Sequence, residues 1–280
     1  MDSAGGLPSG LVGAGAASYL RRVTTTLPPT RPLSPVRARG PWPWAVLVAA
    51  VLQVVAPVVT ALGPGAAPGA GSGPELAITP VGWAFAIWGV IYTLALVQAV
   101  LVLVKRVEVP QRFAVDQVVL YLAGAAWIVV AAFETSLGTA AALVVMAVAA
   151  IDGVLTLARA GGTPAALVGL TRAAFGLYAG WVTAALFLNL ASALASTGAV
   201  DPADLPWQAA FLVVAAAVLV VVTLRSGGSP AYAAAGVWAL FGISVTTAGA
   251  GDVLLLVLAV LGAVAVVAAA PSRRLHARAR

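Results

Sequence analysis

The sequence predicts an all-α integral membrane protein with about eight transmembrane helices. Three observations carry that reading. Hydrophobic residues make up 62% of the chain and charged ones only 9%, where soluble proteins carry about 25% charge. The hydrophobic residues fall into eight runs, each close to the roughly 20 residues that a helix needs to cross the hydrocarbon core. The basic residues outside the runs all fall on one side, and the other side holds only acidic ones.

Taken in order, residues 1–40 are rich in Gly, Ala, Pro, Thr and Arg, hold no apolar stretch of useful length, and read as a disordered segment. They do not resemble a signal peptide, because the apolar run that follows their arginines is of membrane-spanning length. Span 1 is expected at about 42–62, followed by a Gly/Pro/Ala/Ser loop over 63–78. Span 2 covers about 79–104, with Pro80 in its first turn, where the missing N–H would be unpaired anyway. Spans 3 and 4 lie at about 114–133 and 138–158, joined by a short Thr-Ser-Leu-Gly turn. Spans 5 to 8 lie at about 168–195, 206–224, 230–248 and 252–270.

The charges test the count. With eight spans, all 15 basic residues fall on one side. These are Arg21, Arg22, Arg31, Arg37 and Arg39; then Lys105, Arg106, Arg112, Arg159, Arg172 and Arg225; then Arg273, Arg274, Arg278 and Arg280. The other side holds Glu75, Glu134, Asp201, Asp204 and Asp252. One span more or fewer would scramble this pattern. The positive-inside rule then puts both termini in the cytoplasm of a multi-pass cell-membrane protein. The same pattern explains the net charge of +6 without a nucleic-acid partner.

Composition also narrows the chemistry. There is no cysteine, and the only histidine is His276 in the basic tail. Disulfides, an intramembrane zinc site and histidine-ligated haem are therefore not expected. No nucleophile–base pair, metal cluster or phosphate-cradling glycine loop is legible, so neither enzymatic activity nor a cofactor is expected. Gly161-Gly162 and Gly227-Gly228 read as short turns.

Asp152 is the clearest charge inside a span. Within lipid it would cost about 2.5–3.5 kcal/mol, so it should face protein or water. Its ion-pair candidates are Arg159, seven residues on and on the same helical face, and Arg172. It reads either as a proton or ligand contact or as a buried acid pinning neighbouring helices. Glu134 and Asp252 read as solvated span ends.

Aromatic residues supply the motifs. In span 2, Phe85, Trp88 and Tyr92 follow at spacings of three and four, which puts three rings on one helical face. Trp83 lies nearer the end, as interfacial tryptophans do. Span 5 carries Tyr178, Trp181, Val182, Leu188 and Asn189; span 3 carries Trp127. Together, Pro80-Trp83-Phe85-Trp88-Tyr92 and Tyr178-Trp181-Val182…Leu188-Asn189 resemble the second and fifth helices of the TspO/MBR family, the tryptophan-rich sensory proteins related to the translocator protein. The likeness covers about 42–195. There are departures: Leu177 stands where that family has proline, Gly124 where it usually has asparagine, and spans 6–8 lie outside its five-helix fold.

The resemblance implies a TspO-like five-helix bundle over 41–195, three additional transmembrane helices over 196–270, and a basic tail over 271–280. It further implies a pocket among spans 1–5 for a flat apolar ligand such as a porphyrin, lined by Trp83, Phe85, Trp88, Tyr92, Trp127, Tyr178, Trp181 and Asn189. The protein would act as sensor, regulator or carrier of that ligand, with the lipid bilayer and a homodimer as further expected partners. The alternative is a secondary transporter of a small solute using Asp152. Its one hint is that Thr79-Pro80, Ala84 and Trp88 recur as Ser229-Pro230, Ala234 and Trp238 in span 7.

Overall fold

A computed structural model describes residues 40–62, 73–133, 135–160 and 165–270. The expected disorder before Gly40, the basic tail, most of the 63–78 loop, Glu134 and the Gly161-Gly162 turn lie outside the described residues.

Every long apolar run forms a helix, and the described residues contain no strand. In chain order the helices are α1 (Trp42–Leu62), α2 (Ile87–Val104), α3 (Gln111–Ala131), α4 (Ser136–Arg159), α5 (Ala165–Ser196), α6 (Leu205–Arg225), α7 (Pro230–Ala250) and α8 (Val253–Ala269). Seven are long and apolar enough to cross a membrane once α2 is counted with the turn that leads into it. The eighth, α8, has 17 residues, about 26 Å of helix at 1.5 Å per residue, a little short of the roughly 30 Å core.

The start of α2 differs from expectation. Gly82–Ala86 forms a 3₁₀ turn, and the α-helix begins only at Ile87. Tertiary contacts override the local preference here. The Val81 N–H donates to the Gly242 carbonyl of α7 (3.2 Å), and the Trp238 indole donates to the Ala84 carbonyl (2.9 Å). The turn is thereby tied to α7, and Pro80 sits ahead of it. Replacing Trp238 by phenylalanine keeps most of the ring but removes the donor. The expected loss is about 1 kcal/mol, read as a lowered unfolding temperature of the purified protein.

Short connections fold the helices back on one another. Between α7 and α8 only Gly251 and Asp252 intervene. Gly251 takes φ +80°, a left-handed conformation open to glycine. Its N–H and that of Asp252 reach back to the carbonyls of Ala248 and Thr247 and close the end of α7.

Neighbouring helices form two closed rings. One runs α1–α2–α5–α4–α3 and back to α1; the other runs α5–α7–α8–α6 and back to α5. The long helix α5, of 32 residues, belongs to both. It meets α7 closely because Gly176 and Gly180 face Tyr232 and its neighbours. Helix α6 rests mainly on α8, less on α5 and least on α7. Outward faces are apolar, as with Val48, Val51, Leu52 and Val55 on α1 and Val257, Val260, Leu261 and Val264 on α8. Such faces suit a hydrocarbon solvent and not water.

Candidate functional site

The interior of the five-helix ring is filled, and a small polar network runs among its apolar side chains. Tyr178 is fully buried and donates its hydroxyl to Gln53 Oε1 (2.9 Å), tying α5 to α1. Its ring stacks on Tyr121 at 5.8 Å. Gly124 makes this possible, because a Cβ there would lie 2.7 Å from the Tyr178 hydroxyl. Nearby, Gln117 Nε2 donates to Gln98 Oε1 (2.8 Å) and to the Tyr121 hydroxyl (3.2 Å). Gln98 Nε2 donates to Thr171 (3.4 Å). These polar side chains lie within spans, where an unpaired amide costs several kcal/mol, and partnering explains the place of Gln98 and Gln117 at the centre of the ring, while Gln53 accepts from Tyr178 and keeps a buried, unpartnered Nε2. Sequence reading passed over Gln53, Gln98 and Gln117. The available signal was an amide well inside each of three apolar helices, which must face protein.

The aromatic residues of α2, α3 and α5 converge beside this core. Trp88 is the hub. Its ring centroid lies 5.4 Å from Tyr92, 5.5 Å from Trp127, 5.9 Å from Tyr178 and 6.2 Å from Trp181. Phe85 meets Trp181 edge-on at 5.6 Å. Spans 2 and 5 therefore do bring their tryptophans together.

On the outer side of this cluster lies an apolar cavity of about 50 Å³. Phe85, Trp88, Trp127, Trp181 and Asn189 line it from the five-helix ring, with Ile78 and Pro80 from the segment before α2. The opposite wall comes from α6 and α7 through Phe211, Leu212, Ala215, Leu219, Ala239, Leu240 and Ile243. This corrects the expectation of a pocket enclosed by spans 1–5 alone. The space exists because α6 stands off from α7 and because Ala184, Ala185, Ala215 and Ala239 are small. No sequence signal marked these positions, which are ordinary apolar residues at helical spacing.

Three expected ligand residues lie elsewhere. Trp83 is 47% exposed and packs on Trp238 and Phe241 of α7, away from the cavity. Tyr92 backs Trp88 without reaching the cavity wall, and Tyr178 is engaged in the polar core. Asn189 does line the cavity, with its amide donating to the Ala185 carbonyl (3.0 Å). The indole N–H groups of Trp127 and Trp181 are buried without a partner. No lining residue is charged.

Asp152 also departs from expectation. Neither Arg159 nor Arg172 holds it. Arg112 of α3 grips it through two parallel hydrogen bonds, Nε to Oδ2 (2.5 Å) and Nη2 to Oδ1 (2.6 Å). Arg159 is two turns away along the same helix, whereas α3 packs face to face on α4 and brings Arg112 within reach. Arg172 instead donates to the Leu157 carbonyl (3.2 Å).

A family model described as TSPO-like protein matches residues 43–271. The chain belongs to the TSPO-like family. The match runs through all eight helices, beyond the 42–195 over which the motifs were legible, so α6–α8 are part of what this TSPO-like chain shares with its family. No curated protein and no solved structure matches the chain. Membership and the seven long apolar helices together make this TSPO-like protein a multi-pass membrane protein.

Proposed function

We propose that this TSPO-like protein binds a flat apolar molecule of the tetrapyrrole class against the Trp88 cluster, and that it senses, regulates or carries that molecule without transforming it. The observation that carries the reading is the meeting of Trp88, Trp127, Trp181 and Phe85 beside an apolar cavity. Aromatic faces and edges of this kind stack on a planar ligand and bury much of its area. The two unpartnered indole N–H groups offer donors to an acceptor on the ligand rim.

The size of the cavity sets a condition. Pockets for drug-sized ligands run from about 300 Å³ upward, several times the space present. Binding therefore requires the walls to part, and α6 is the helix least tied to its neighbour α7. Since the lining is uncharged, the carboxylates of a porphyrin would project outward to water or headgroups. With no histidine or cysteine in the spans, a metal-free macrocycle suits the site better than haem. The chain would sit in the cell membrane with both termini cytoplasmic.

The test is titration of the purified protein with a metal-free porphyrin, followed by tryptophan quenching. Saturable quenching is expected. Ala215→Phe, which fills the cavity from α6, should weaken binding at least tenfold, while Trp83→Phe should leave it unchanged. Absence of saturation in the wild type, or equal affinity in Ala215→Phe with its unfolding temperature intact, rejects the site.

A further inference from the structure

A second acidic side chain lies beside Asp152, and the ligand cavity does not involve it. Asp116 stands in the second turn of α3, four residues after Arg112, and is 9% exposed. Its Cβ lies 3.4 Å from where a Cβ on Gly153 of α4 would stand, so it sits beside Asp152 at the α3–α4 interface and interacts with that carboxylate. Its Oδ2 is buried and has no hydrogen-bond partner. The charged groups that act on it are Asp152 from α4 and Arg112 from its own helix. From α5, the Phe175 ring packs at Gly153 next to the Asp116 Cβ.

The charge count of this cluster does not close. Arg112 supplies one positive charge and commits two N–H groups to Asp152. Two ionised carboxylates beside it would leave one negative charge within a membrane span and would set two acceptors against each other with no hydrogen between them. A proton on Asp116 removes both problems. It turns that carboxyl into a donor and makes the cluster neutral. A metal ion would serve less well, because the cation place is already filled by Arg112 and no third acidic, histidine or cysteine residue joins the pair among the described residues.

We propose that Asp116 carries a proton beside the Arg112–Asp152 pair, making a proton-binding site in the membrane-embedded bundle, distinct from the aromatic cavity. The site has a route to water. The side chains of Asp152 and Arg112 are 27% and 69% exposed, so the proton exchanges with solvent on the side that carries the basic residues. Proton occupancy holds α3 against α4; its loss sets like charges against each other at that interface.

Infrared spectroscopy of the full-length protein in lipid vesicles tests this without any ligand, so its outcome is independent of the porphyrin titration. At neutral pH the wild type should show the C=O band of a protonated carboxylic acid, shifting in D₂O. Asp116→Asn imitates the protonated form and should abolish the band while keeping the unfolding temperature. Asp152→Asn should abolish it too, because Arg112 is then released to pair with an ionised Asp116. A wild type without the band, or a band that persists in Asp116→Asn, overturns the proposal. So does a band that sodium removes and potassium does not, which would mark a cation site instead.

Discussion

Gly180→Ala is expected to destabilise the protein by about 3 kcal/mol, at the upper end of the cost of overpacking. A Cβ at this position would press on the Tyr232 carbonyl oxygen, 2.9 Å from the Ala235 Cβ and 3.1 Å from the Tyr232 carbonyl carbon. Two of these three neighbours are backbone atoms of α7, which no rotamer change can move. The helix pair would have to separate. Since α5 is the one helix that both rings share, the change strains the junction between them. Gly89→Ala is the control. That glycine is also helical, but nothing lies within 4 Å of its would-be Cβ. Alanine there should be neutral or stabilising by up to about 1 kcal/mol, through helix propensity alone. Unfolding temperatures of both variants in the same detergent check the contrast. Equal stability would mean that α5 and α7 are not in the contact described.

The second large effect is expected from Trp181→Ala. This indole is 2% exposed and is held between Phe85 and Trp88. Truncation to alanine in a soluble core costs about 3–5 kcal/mol. The lower figure applies here, because lipid is as apolar as the interior and the loss is one of packing rather than of transfer from water. Trp181→Phe should retain most of the stability, since a ring remains against Phe85 and Trp88. The measurement is again the unfolding temperature, with Trp83→Ala as comparison. Trp83 is half exposed, with its ring neighbours on α7, so its truncation should cost clearly less. A reversed order would remove Trp181 from the centre of the cluster.

Much of the bundle was legible in the chain because hydropathy and charge act locally. All eight runs became helices, seven of them close to the expected bounds and the second beginning late, at Ile87. The convergence of Trp88 and Trp181 followed from the family motifs, which encode which helices meet. Legibility ended wherever partner choice depended on contacts between distant segments. Asp152 pairs with Arg112, 40 residues earlier in the chain, and spacing along one helix could not disclose this. Asp116 was passed over beside its more prominent neighbour, although an acid in a span is itself a signal. The 3₁₀ turn before α2 exists because α7 takes up its backbone groups. Trp83, which the motif groups with the ligand residues, turns to α7 for the same reason.

By itself the sequence determined that this chain lives in a bilayer, how many helices it threads, and which family it joins. Those properties come from water-to-lipid transfer and from short residue patterns, and both can be summed along the chain. Only the tertiary structure decided that a polar network sits inside the five-helix ring, that the cavity lies outside that ring under α6 and α7, and that Asp152 takes its arginine from α3. These are consequences of how closely helix backbones approach. A glycine or alanine sets that distance only through the partner it meets.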